Sequence, residues 1–154
     1  MYTIHSDIEF HVFVGIAVNK AINEVVDKIF KELQQSIQRD IYNAYSPQDY
    51  DRTGELLDAW ERQTRGLIAS IEFKPEWLSL NPTNWQHGSV YGGNYTDIRN
   101  VIFDILEQGY GAYNYHKGKP IPSRPMWNEF IAKVDSKFDR WMRVALRRQG
   151  LVVI

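Results

Sequence analysis

Cysteine is absent from all 154 positions. That removes disulfides, thiolate metal sites and a cysteine nucleophile together, and it fits a reducing cytoplasm. No charge of one sign dominates, because 18 Lys and Arg stand against 19 Asp and Glu, a formal net charge of -1. No global field therefore recruits nucleic acid or an anionic membrane, and any such partner has to be met by a local patch. Long apolar runs are missing as well. The short run Val12-Phe13-Val14-Gly15-Ile16 falls far below the roughly 18 residues of a spanning helix, and the first seven residues carry no basic region leading into an apolar core. Neither secretion by a leader nor insertion in a membrane is expected.

Signatures of catalysis are also lacking. His5, His11, His87 and His116 are scattered without the i, i+4 spacing of a helical metal site or a nearby carboxylate pair. Gly88-Ser89-Val90-Tyr91-Gly92-Gly93 is rich in glycine but lacks the Gly-Lys-Ser/Thr ending of a phosphate loop, and Gly109-Tyr110-Gly111 lacks the third glycine of a dinucleotide fingerprint. No Gly-x-Ser-x-Gly nucleophile turn occurs. Asp104 and Glu107, three apart, have the ordinary spacing of a solvated helix pair. Glu107 has a better structural role, accepting hydrogen bonds from backbone amides further on or from an arginine such as Arg124. No catalytic residue, metal or cofactor is expected, and the chain reads as a protein without enzymatic activity.

What is present is an ordinary soluble composition, 44% hydrophobic and 24% charged, with 14% aromatic residues including five Trp and nine Tyr. Abundant aromatics suit buried contact surfaces, within a fold or between subunits. One domain over residues 1–154 is expected, burying about two-thirds of its unfolded surface.

From about Val14 to Tyr45, Val18, Ile22, Val25, Val26, Ile29, Phe30, Leu33, Ile37 and Ile41 recur at helical spacing, which predicts a long amphipathic helix ending near Ser46-Pro47. A strand-like segment is expected after Arg52-Thr53-Gly54. Ala59 to Thr64 pairs with the alternating Leu67 to Phe73 across Arg65-Gly66 as a hairpin. The stretch from Pro75 to Tyr95 has no period and reads as a long loop. Thr96 caps a short helix with Val101, Ile102, Ile105 and Leu106 on one stripe and Gly109 as its stop. Ser123 caps a last helix in which Met126, Phe130, Ile131, Val134, Phe138, Trp141, Met142 and Ala145 share a face, and Leu151 to Ile154 forms a terminal strand. The fold class is α+β: a long N-terminal helix and a C-terminal helix packed on a small antiparallel β-sheet, with long loops.

Two surfaces stand out. The last helix carries Lys133, Lys137, Arg140, Arg143, Arg147 and Arg148, several at spacings of three or four and so along one side. They are either a solvated face complementing the helix C-terminus or a contact surface for DNA or for the acidic rim of a neighbouring subunit. Trp77, Trp85, Tyr91, Tyr95, Tyr110, Tyr113 and Tyr115 follow no helical or strand period. Those that do not pack on their own core would make an adhesive surface of the kind found at protein interfaces.

The order of three short motifs, Arg52-Thr53-Gly54-Glu55-Leu56, then Glu107-Gln108-Gly109, then Arg124-Pro125-Met126-Trp127, resembles the head-tail joining or tail-completion proteins of long-tailed phages, the family typified by gene product ten of a lambdoid siphophage. In that family the motifs sit between a long N-terminal helix, a hairpin, a helix and a closing helix. Gly109-Tyr110 and Trp127 depart from the family's usual Gly-Thr and Phe. The resemblance implies a virion part at the neck, made in the host cytoplasm. It would be a subunit of a homo-oligomeric ring, six- or twelve-fold, that meets the head connector or stopper on one side and the tail terminator or tail tube on the other. It adds Arg52, Arg124 and Trp127 to the interface candidates and places DNA in the channel lumen. A tail terminator capping the tube, or a small DNA-binding regulator using the last helix, are the alternative expectations.

Overall fold

The computed structural model describes residues 6–44, 54–79, 98–109 and 123–152. Their architecture is the expected α+β arrangement, mostly helical. A long helix α1 (Asp7–Ser36) continues into a π-helical segment, Ile37–Tyr42, and the one-turn helix α2 (Glu55–Asp58) follows. Strands β1 (Trp60–Arg65) and β2 (Ile68–Phe73) form a two-stranded antiparallel sheet. A 3-10 turn (Pro75–Trp77), α3 (Ile98–Gln108) and α4 (Met126–Arg148) complete the order. The described residues fall into two compact units, one of residues 1–33, 62–72 and 131–154 and the other of 34–61 and 73–130.

In the first unit, Ala21, Val25 and Ala145 form a buried cluster against which Ile29, Trp141, Met142 and Leu146 pack. Alanines at the contact let α1 and α4 approach closely, since interaxial distance follows the size of the side chains between them. The hairpin lies along α1. Asn19 Nδ2 donates to the carbonyl of Gly66 at 2.5 Å, Arg62 pairs with Asp27, and the Arg62 guanidinium lies 5.7 Å from the centre of the Phe30 ring. The turn is tight because Gly66 adopts a φ of 61°, which a side chain would resist. Ala69, Ile71 and Phe73 point inward and Ile68, Ser70 and Glu72 outward, the alternation that the sequence predicts.

In the second unit the core is aromatic. The Trp60 ring lies 5.1 Å from both Phe73 and Phe103, and those two are 4.9 Å apart, edge to face. Trp127 stacks on Trp60 at 6.0 Å and touches Phe130 at 5.4 Å. Trp60 Nε1 donates to the carbonyl of Leu56 at 3.0 Å, so its one polar atom is satisfied.

Several expectations need correction. The first helix begins seven residues before the predicted Val14, at Asp7, and its last stretch is π-helical, with the Asn43 amide donating to the carbonyl of Gln38 at 2.8 Å. The strand-like segment after Gly54 is instead the short helix α2. Gly54 precedes it at a φ of 78°, and Ala59 closes it by donating to the carbonyl of Glu55 at 2.9 Å. Within the long loop, Pro75 starts a 3-10 turn and Leu78 is buried. Ser123 does not cap α4. Its hydroxyl donates to the carbonyl of Glu107 at 2.6 Å. Leu151 and Val152 are not in a strand. Gly150 turns left-handed at a φ of 82°, and the Gly150 and Leu151 amides return to the carbonyls of Arg147 and Leu146 at 3.0 and 3.1 Å. Those paired bonds end α4 in a Schellman-type closure. Thr96, Val153 and Ile154 lie outside the described residues, as do the side chains of Val101 and Ile105.

Candidate interaction surfaces

Two of the three motifs meet in the second unit. Gly109, at a φ of 76°, stops α3, and the amide of Arg124 donates to the carbonyl of Leu106 at 2.9 Å. With the Ser123 hydroxyl on Glu107, two carbonyls of the last turn of α3 are thereby satisfied, groups that have no partner within the helix itself. The reciprocal bond comes from Glu107: its Oε2 accepts the Trp127 amide at 3.0 Å, in the first turn of α4. A carboxylate there satisfies a free amide and complements the positive end of the helix dipole. The end of one helix and the start of the next thus cap each other, and Glu107 has the amide-accepting role that its position predicts. Arg124 Nη1 reaches the carbonyl of Ile41 at 3.3 Å, in the π-helical segment.

The first motif is only partly described. Leu56 is buried, and the Glu55 carboxylate accepts both the amide and the hydroxyl of Ser79, at 2.9 and 2.5 Å. Arg52 lies outside the described residues, and so do Trp85, Tyr91, Tyr95, Tyr110, Tyr113 and Tyr115. Of the aromatic candidates, Trp77 is 51% exposed on its 3-10 turn, whereas Trp127 is 39% exposed with one ring face committed to Trp60.

The basic side of α4 divides in two. Lys133 and Lys137 both pair with Glu32 on α1, Lys137 at 3.0 Å. Glu32 is only 8% exposed. Its own burial pushes the carboxyl pKa up, but the hydrogen bonds and charges of the two lysines outweigh that and hold it below the ordinary value. Lys137 also lies 5.7 Å from the centre of the Trp141 ring. These two cations are therefore structural. Arg148 pairs with Glu24 at 2.6 Å; together with Lys28, whose hydrogen bond is the larger influence, it holds the Glu24 carboxyl low. Arg140, Arg143 and Arg147 are exposed, and their i, i+3, i+7 spacing sets them along one side of the helix.

The sequence reading missed the Glu32 acceptor, although its signal was present: Glu32 falls seven residues after Val25, on the buried stripe of α1. It also missed Trp60, which alternation alone does not mark as the centre of an aromatic cluster. Among the described residues no three His, Asp or Glu side chains gather to hold an ion, and no helix is long and apolar enough to cross a membrane.

No curated protein and no solved structure matches the chain. A family match does exist, to YomN and not to the head-tail joining family that the motif order resembles. Covering residues 11–147, from the first turns of α1 to the last turn of α4, it shows that the chain belongs to the YomN family, a phage-related family.

Proposed function

We propose that this chain is a structural, non-enzymatic part of a tailed-phage particle: a ring-forming head-tail joining, or tail-completion, component that links the head connector to the tail. The observation that carries the reading is the row Arg140, Arg143 and Arg147. These guanidiniums face solvent on the same helix side whose other cations, Lys133 and Lys137, are used internally. In a ring, such a row faces either the phosphates of DNA in the channel or the acidic rim of an adjacent ring, and an exposed pair of this kind contributes about 1 kcal/mol or less. Membership of a phage-related family and the order of the three motifs support the same reading. A closed ring needs two different complementary patches on each subunit, and Trp77 and the partly exposed Trp127 supply aromatic candidates for one of them.

The test is mass spectrometry of purified, DNA-filled particles. A copy number of about six to twelve per particle, as closed rings require, supports the neck role. Absence from particles overturns it. The arginine row favours a second reading in that event, a small DNA-binding regulator, recognised by salt-dependent DNA affinity that Arg140→Gln, Arg143→Gln and Arg147→Gln abolish together.

A further inference from the structure

Among the described residues, the N-terminal turns of α1 carry several exposed large apolar side chains. Ile8 is 77% exposed, Val12 57% and Ile16 53%. Their i, i+4, i+8 spacing sets them along one side of the helix, with Asn19 continuing that side. The hairpin covers the same side further along, through the Arg62 contacts to Asp27 and Phe30, and its turn ends at the bond from Asn19 to Gly66. Beyond that bond the cover stops while the apolar residues continue. At the edge, Leu67 and Ile68 are 65% and 75% exposed. Three large apolar side chains along one helix side, with two more at the hairpin turn that Asn19 meets, differ from the single exposed residues that any surface shows. Phe10, 50% exposed, adds a further apolar side chain on another side of the same turns.

Charge selects the cover. Asp7 and Glu9 stand in the first turn, and the exposed Lys20 stands at the far end of the uncovered stretch. A parallel copy would set acid against acid. An antiparallel copy sets Glu9 of each chain beside Lys20 of the other, about 16 Å apart along the helix at its usual rise, with Val12 and Ile16 between them and each Ile8 directed at the other's hairpin turn. Gly15 lies near the middle in open space. A glycine there permits close backbone approach.

We propose that two copies of this chain pair through a two-fold patch made by the N-terminal turns of α1 and the hairpin turn, packed antiparallel. This goes beyond the ring reading, because a self-complementary patch adds an isologous contact to the heterologous ones that close a ring.

Sedimentation velocity and light scattering of the full chain over a range of concentrations test it. The expected result is a concentration-dependent dimer. Val12→Asp and Lys20→Glu should each raise its dissociation constant roughly tenfold or more, with the helical circular dichroism unchanged, and Glu9→Lys combined with Lys20→Glu should restore it. A wild-type chain that stays monomeric, variants that leave association unchanged, or a double reversal that fails to restore it would each overturn the pairing. So would an apolar patch that captures lipid vesicles while the chain remains monomeric. Copy number in particles reads the ring separately: absence from particles with an intact dimer removes only the ring, and ring stoichiometry with association unaffected by these variants removes only the pairing.

Discussion

Glu32 and Glu107 each place a carboxylate at the meeting of two helices, and the two units hold them by different chemistry. In the first unit Glu32 faces two lysines of α4: Lys133 as a close ion pair on Oε1 and Lys137 as a hydrogen bond on Oε2. In the second, Glu107 meets a backbone amide through Oε2, while its Oε1 is buried with no hydrogen-bond partner among the described residues. The first arrangement is an ion pair between side chains, and the second a helix cap beside an aromatic cluster. Truncating each site should therefore give effects that differ in size.

The largest expected effect is in the second unit. Trp60→Ala removes the ring shared by Phe73, Phe103 and Trp127 and should cost about 3–5 kcal/mol in urea or guanidinium unfolding. Trp60→Phe keeps most of that packing and loses the bond to the carbonyl of Leu56, for a cost of about 1 kcal/mol. In the first unit, Glu32→Ala should cost about 1–2 kcal/mol. That is less than a fully buried pair would lose, because Lys133 and Lys137 are about a third exposed and regain water. The contribution of Glu32 also has a pH window. Its folded pKa is lowered, so the stabilisation is present above the ordinary carboxylate value and is lost as pH falls through the lowered one. Acid titration of stability should show that loss in the wild type and a shallower slope in Glu32→Gln. A slope that Glu32→Gln leaves unchanged would break the comparison. Glu107→Ala should cost about 1 kcal/mol as a lost helix cap, measured by the same unfolding.

The two units were also unequally legible in the sequence. In α1 and α4 the buried residues Val25, Val26, Leu33, Val134 and Ala145 recur at helical spacing, so periodicity alone places the core of the first unit. Ile131 and Phe138 belong to the predicted apolar face of α4, yet they are 41% and 42% exposed, because period describes a helix face and not what lies opposite it. The second unit depends on contacts far apart in sequence. Arg124 bonds to Ile41 across 83 positions, and Trp60 meets rings from β2, α3 and α4. No local pattern encodes such meetings. The π-helical turn escaped for a related reason: Ile37 and Ile41, both buried, keep an i, i+4 relation that an α-helix would also give. Glu107 and Gly109 were legible because an acid and a glycine near a helix end have local roles.

The smallest effect on stability should come from the arginine row, and it separates cations paired within the fold from cations that face solvent on a single helix. Arg140, Arg143 and Arg147 are exposed, so Arg143→Gln should change unfolding free energy by no more than about 0.5 kcal/mol. Lys133→Gln, on the same side of the helix, removes a partner of the buried Glu32 and should be measurably destabilising. If both substitutions prove equally neutral, the lysines belong with the arginines on a solvated face. If Arg143→Gln is neutral to folding but reduces particle assembly, or flattens the salt dependence of DNA binding, the row acts on a partner outside the chain.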